Sequence, residues 1–138
     1  MIQLTGLELR KAALEALGYR LFWIGDGFLY HEVILPSNPP FVLKEDQKKL
    51  WEEVPFGQIS DKDCAKLPRI ESDPAVSEPE FLKWCKVKGY GFDLYTDGSG
   101  FLLLIFTRAE PVHRVGSPVE GSTPSEARAR AIVEGSRR

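Results

Sequence analysis

Apolar positions at the start of the chain recur at helical spacing and predict a first helix. Thr5 and Glu8 have the capping-box spacing, in which each side chain accepts a hydrogen bond from a backbone N–H at the helix start. Gly18 stands where a glycine in a left-handed conformation ends a helix. The apolar face between these ends consists of Leu9, Ala13, Ala16 and Leu17.

Two aromatic-rich hairpins follow the same plan in different parts of the chain. The segment "LGYRLFWIGDGFLY" at 17–30 resembles "KGYGFDLYTDGSGFLL" at 88–103 in its Gly-Tyr pair, Asp-Gly turn and Phe-Leu return. An Asp-Gly turn suits a hairpin because glycine adopts the positive φ that a tight turn needs. The strand "FLLLIF" is apolar on both faces, which predicts a layer on each side of the sheet.

Two further helices complete the predicted order. Ser77 with Glu80, and Thr123 with Glu126, repeat the capping-box spacing and predict helix starts. The order is therefore α-β-β-insertion-α-β-β-α, which is that of an α+β protein. It predicts an α/β/α sandwich around a four-stranded, mainly antiparallel sheet that the two hairpins form together.

The insertion, at about 36–76, contains six of the ten prolines, which exclude a long regular element. Within it, "KEDQKKLWEEV" predicts a short helix with Leu50, Trp51 and Val54 on one face. We expect residues 1–138 to form a single domain with a frayed tail at 135–138.

Composition and charge exclude several classes of protein. The net charge of −2 and the pI near 5.7 argue against bulk attraction to nucleic acid or to an anionic membrane. The longest apolar run, "FLLLIF", has the length of a strand and not of a membrane span. Cys64 and Cys85 have no metal-binding spacing, and no signal peptide is evident. We therefore predict that Cys64 and Cys85 are reduced thiols in a cytoplasmic protein.

The stretch "LYTDGSG" at 94–100 allows two interpretations. Ribonuclease H-like nucleases begin with a similar strand whose aspartate binds metal, so Asp93 and Asp97 suggest a metal-dependent nucleotide or nucleic-acid hydrolase. Two-metal chemistry needs a cluster of carboxylates, and the sequence shows none after Asp97. The matching turn at Asp26 instead favours a hairpin. We therefore expect no catalytic residue, metal or cofactor.

Aromatic and basic residues provide the candidates for ligand binding. Aromatic side chains favour either a packed core or a surface on which a planar ligand stacks. The segment 108–138 uses arginine and no lysine, and arginine suits bidentate contact with phosphate or carboxylate. The two histidines belong to no catalytic motif. The candidate ligand-binding residues are Trp23, Tyr30, His31, Trp51, Arg108, His113 and Arg114.

The layout resembles the phage ABA sandwich domain family. The resemblance rests on "LRKAALEALGYRLFWIGDGFLYHE", on "KGYGFDLYTDGSGFLLLIF" and on the closing helix "TPSEARARAIVEG". It implies an α/β/α sandwich of phage or prophage origin and no established catalytic residues. We expect a non-enzymatic binding protein, homodimeric if its site lies between subunits, that sequesters a nucleotide-derived immune signal of the host or binds a host protein. A hydrolase, or an accessory protein that binds only other proteins, is the alternative.

Overall fold

Four helices and six strands follow one another in the computed structural model, which describes residues 4–24, 31–34, 51–58, 61–65, 67–96 and 98–137. The helices are α1 (Gly6–Ala16), α2 (Asp61–Cys64), α3 (Pro74–Lys88) and α4 (Pro124–Ser136). The strands are β1 (Arg20–Ile24), β2 (His31–Ile34), β3 (Trp51–Val54), β4 (Tyr90–Thr96), β5 (Phe101–Thr107) and β6 (Val119–Gly121). None of the described helices is long and apolar enough to span a membrane.

The strands form two antiparallel three-stranded sheets within the described ranges, with the orders β2-β1-β3 and β4-β5-β6. This confirms an α+β protein and both predicted hairpins. It does not confirm one four-stranded sheet, because each hairpin pairs with a third strand instead of with the other hairpin. The α/β/α sandwich stays a prediction.

The strand β3 corrects the prediction of a short helix in "KEDQKKLWEEV". Residues Trp51–Val54 are extended and pair with β1 from Ile24↔Trp51 to Leu21↔Val54. Tryptophan and valine favour strands, and pairing with a neighbouring strand overrides a weak helical pattern. The remainder of that segment, 44–50, lies outside the described residues.

The helix α3 begins earlier than the capping box at Ser77 and Glu80 predicts. Asp73 is the N-cap, and its side chain accepts a hydrogen bond from Ala75 N at 3.0 Å, with Pro74 in the first turn. Ser77 is a buried residue inside the helix, where its hydroxyl bonds the Ser125 hydroxyl of α4 at 2.8 Å. An aspartate followed by proline is a strong start signal, so the Ser77 prediction was wrong.

The other predicted helix ends are confirmed, with one difference in capping. Thr123 Oγ1 accepts from Glu126 N at 3.1 Å at the start of α4. Thr5 is the N-cap of α1 and makes no such side-chain bond. Gly18 has φ +89 just beyond α1 and Gly89 has φ +74 at the end of α3, so each supplies the left-handed residue that ends a helix.

The core lies between α3 and α4, which pack on one face of the β4-β5-β6 sheet, and α1, which packs on α4. Its fully buried apolar side chains include Leu9, Leu14, Phe81, Leu103 and Ile132. The small residues of α4 allow close approach: a Cβ at Gly135 would overlap the Trp84 ring. Because Gly135 is buried and α4 continues to Ser136, the predicted frayed tail at 135–138 begins too early.

Candidate functional site

The hairpin of β4 and β5 has one face in the core and one face directed away from it. Phe92 contacts Phe81 of α3 edge to face, with ring centroids 5.0 Å apart, and Tyr90 contacts Trp84 at 5.4 Å. Side chains alternate along a strand, so the residues between these inward positions lie on the opposite side.

The strand register identifies the side chains of this opposite side. Gly91 pairs with Phe106, Asp93 with Leu104 and Tyr95 with Leu102, and directly paired residues share a face. Glu120 pairs with Leu102, and Arg114 forms a bridge with Phe106. We call this surface the outer face; it consists of Gly91, Asp93, Tyr95, Leu102, Leu104, Phe106, Glu120 and Arg114, with Arg108, whose position is described next.

Arg108 extends along the outer face above Gly91. The position that a Cβ would occupy at Gly91 is 3.7 Å from Arg108 Nε and 3.7 Å from Phe106 Cδ2. Arg108 therefore lies next to the Phe106 ring on the β4 side, while Arg114 is paired with Phe106 on the β6 side. Two guanidinium-bearing residues flank one aromatic ring, which makes this end of the outer face cationic.

The middle and the other end of the outer face carry acidic groups. Asp93 is exposed, and the Tyr95 hydroxyl donates to its Oδ2 at 3.2 Å. This hydrogen bond, together with the carboxylate charge, raises the pKa of the Tyr95 hydroxyl above its usual value. The exposed Glu120 lies across from Leu102. The partly exposed row Phe106, Leu104 and Leu102 thus runs from a cationic end to an acidic end.

Hydrogen bonds between Thr107 and His113 close the loop that connects Arg108 with Arg114. Thr107 N donates to His113 O at 2.9 Å, and His113 N donates to Thr107 Oγ1 at 3.2 Å. Val115 N donates to Ile105 O at 2.8 Å just beyond the loop. These bonds pair the second half of β5 with residues 113–115, so Arg108 and Arg114 lie on either side of a hydrogen-bonded loop closure.

The structure divides the predicted ligand-binding residues into two groups. Arg108, His113 and Arg114 come together in the loop after β5. Trp23 and His31 are direct partners in β1 and β2, and Trp51 in β3 pairs with Ile24. Tyr30 lies outside the described residues.

The catalytic alternatives gain no geometric support from the described residues. Within these ranges no three histidine, cysteine, aspartate or glutamate residues group as a metal site would require. Asp97 lies outside the described ranges, although β4 and β5 pair up to Thr96↔Phe101 on either side of it. Burial raises the pKa of the Cys85 thiol to about 11 and also raises that of Cys64. Both thiols are therefore protonated at neutral pH.

Sequence reasoning missed the central part of the outer face. From the sequence, Phe106 belongs only to a doubly apolar strand, and Gly91 is a strand residue with no predicted role. Their proximity to the arginines depends on the register between β4 and β5 and on the bridge to Arg114. The available signal was the even spacing of Leu102, Leu104, Phe106 and Arg108, which places the four on one side of a strand.

Comparison with known proteins gives no match to this chain among protein families, curated proteins or solved structures. Membership of the phage ABA sandwich domain family therefore stays a prediction from the sequence.

Proposed function

We propose that this chain is a small, non-enzymatic binding protein of the phage or prophage type, which sequesters a nucleotide-derived signal on its outer face. The observation that carries the proposal is the placement of Arg108 and Arg114 on either side of Phe106. In this proposal the protein acts in the cytoplasm of an infected or lysogenic bacterium and counters host defence.

The cationic end suits a phosphate group. Guanidinium groups bind phosphate oxygens through paired N–H donors, and the Thr107–His113 closure limits the conformational freedom that the loop loses on binding. The net charge of the chain is −2, so the attraction is local to this surface. Phosphate affinity should accordingly fall as the ionic strength rises.

The apolar row suits the remainder of a nucleotide. The rise along β5 from Phe106 to Leu102 is roughly 13 Å, which accommodates a ring system beside its phosphate. Bases stack on aromatic side chains without a requirement for a deep pocket, and arginine beside the ring adds a cation–π contribution. The outer face therefore offers contacts for both parts of the ligand.

Binding is favoured over hydrolysis because of the state of the groups that could act as nucleophiles. The carboxylate of Asp93 already accepts the Tyr95 hydroxyl, and the two cysteines lie in the core with raised pKa values. A surface of this kind holds a ligand without supplying an activated nucleophile.

Titration calorimetry with linear and cyclic mononucleotides tests the proposal through Arg108→Gln. We expect the variant to bind at least about tenfold more weakly, since a hydrogen bond to a charged group contributes about 1.5–3 kcal/mol. Arg69→Gln removes an exposed arginine outside the outer face and is the matched control. Equal affinities of Arg108→Gln and the wild type, or no binding of any nucleotide by the wild type, would reject the proposed function.

A further inference from the structure

Asp93 occupies a distinctive place relative to the cationic end of the outer face. It lies two residues beyond Gly91 on β4, which corresponds to roughly 7 Å along the strand from the residue that Arg108 covers. It is also the direct partner of Leu104, the middle residue of the apolar row. A ring that stacks on this row with its phosphate at the arginines directs an edge towards Asp93.

We infer that the outer face selects guanine nucleotides through the Asp93 carboxylate; this inference rests on the proposed function. Guanine presents N1–H and N2–H as adjacent donors on one edge, and a carboxylate is an acceptor with two oxygens. Adenine presents a lone pair at N1 on the corresponding edge, which faces the carboxylate unfavourably. Cytosine and uracil offer at most one donor beside an acceptor on that edge.

The hydrogen bond from Tyr95 orients the Asp93 carboxylate for contact with the base. The hydroxyl donates to Oδ2 at 3.2 Å, which limits rotation of the carboxylate and leaves acceptor capacity on both oxygens. Tyr95 is 46% exposed, so its ring stands at the border of the same surface. An oriented acceptor binds a matching donor pair more tightly than a freely rotating one because less conformational entropy is lost on binding.

A purely structural role for Asp93 makes a different prediction. The strand β4 is an edge strand of its described sheet, and a charged side chain on an edge discourages the addition of another strand. In that role Asp93 would have no effect on the choice between bases. The ratio of guanine to adenine affinities is therefore the quantity that distinguishes the two roles.

The test measures the dissociation constants of GMP and AMP for the wild type, Asp93→Asn and Glu78→Gln by calorimetry in one low-salt buffer. Glu78 is an exposed carboxylate on α3, so Glu78→Gln controls for the loss of one negative charge. We expect the wild type to bind GMP at least about tenfold more tightly than AMP, with a preference that Glu78→Gln retains. Asp93→Asn should lose most of this preference, because its amide donates where the carboxylate accepts.

Each other outcome has a distinct meaning. Equal binding of GMP and AMP by the wild type overturns the guanine preference and leaves the nucleotide-binding function in place. A preference that Asp93→Asn retains overturns the assignment to Asp93. Absence of GMP and AMP binding overturns the guanine inference, and the proposed function fails as well only if no other linear or cyclic nucleotide binds in the same assay. Circular dichroism and thermal melting of each variant establish that the fold is unchanged.

Discussion

Arg10 and Glu71 form a buried ion pair across 61 residues of sequence. Arg10 Nε donates to Glu71 Oε2 at 2.9 Å, and a second nitrogen of the guanidinium donates to Oε1. Arg10 also donates to Cys64 O at 3.0 Å. The arginine of α1 therefore fixes both the end of α2 and the segment before α3. The positions of Arg10 and Glu71 in the sequence do not predict this ion pair, because only the tertiary fold brings the two residues together.

The pair gives the stability of the protein a predictable dependence on pH. Burial alone would raise the pKa of Glu71. The hydrogen bonds and positive charge of Arg10 lower that pKa below the usual 4.5, and hydrogen bonds from the Glu71 backbone N–H and from Ser72 contribute to the decrease. A carboxylate with a lowered folded-state pKa stabilises the fold above its unfolded-state pKa. That stabilisation is lost as the pH falls below about 4.5 towards the folded-state value.

We predict that Glu71→Gln lowers the free energy of unfolding at pH 7 by about 3–5 kcal/mol, because it leaves a buried guanidinium without its counter-charge. Urea denaturation from pH 7 to pH 3 should show a smaller decrease in stability for the variant than for the wild type. The double variant Arg10→Met with Glu71→Leu should recover much of the loss at pH 7, since apolar groups of similar volume often replace buried pairs well. Equal stability of Glu71→Gln and the wild type at pH 7 would refute the structural role of the pair.

At the scale of single elements, local signals located the helices better than the short strands. Thr123, Gly18 and Gly89 mark helix ends correctly because capping depends on neighbouring residues only. The strand β6 has three residues and β3 has four, and both exist through pairing with a longer neighbour. A strand of that length carries too few positions for its alternation to be read from sequence.

The two threonine caps provide a matched pair for an element-scale prediction. Thr123→Ala should lower the free energy of unfolding by about 1 kcal/mol, because the Glu126 N–H loses its acceptor. Thr5→Ala should have a smaller effect, since Thr5 makes no side-chain cap bond. Thermal and urea denaturation of both variants measure the difference, and an equal loss in the two would contradict the assigned geometry.

At the scale of the whole molecule, the structure brings some of the sequence-predicted candidates together and places others in a different sheet. The arginine usage after residue 108 pointed to Arg108 and Arg114, and the structure places both beside Phe106. Trp23, His31 and Trp51 are also predicted candidates, but these three residues belong to the β2-β1-β3 sheet. A stacking surface depends on which strands are neighbours, and that information is absent from local sequence patterns.

The proposed binding of a nucleotide to the outer face of the β4-β5-β6 sheet is open to a direct test. The most direct measurement is a titration of the isotope-labelled protein with GMP, followed by amide and side-chain chemical shifts in nuclear magnetic resonance spectra. We predict saturable shifts concentrated at Gly91, Asp93, Phe106, Arg108 and Arg114, with little change along α1 and the buried face of α4. Saturable shifts centred elsewhere, or no shifts at millimolar GMP, would contradict the account.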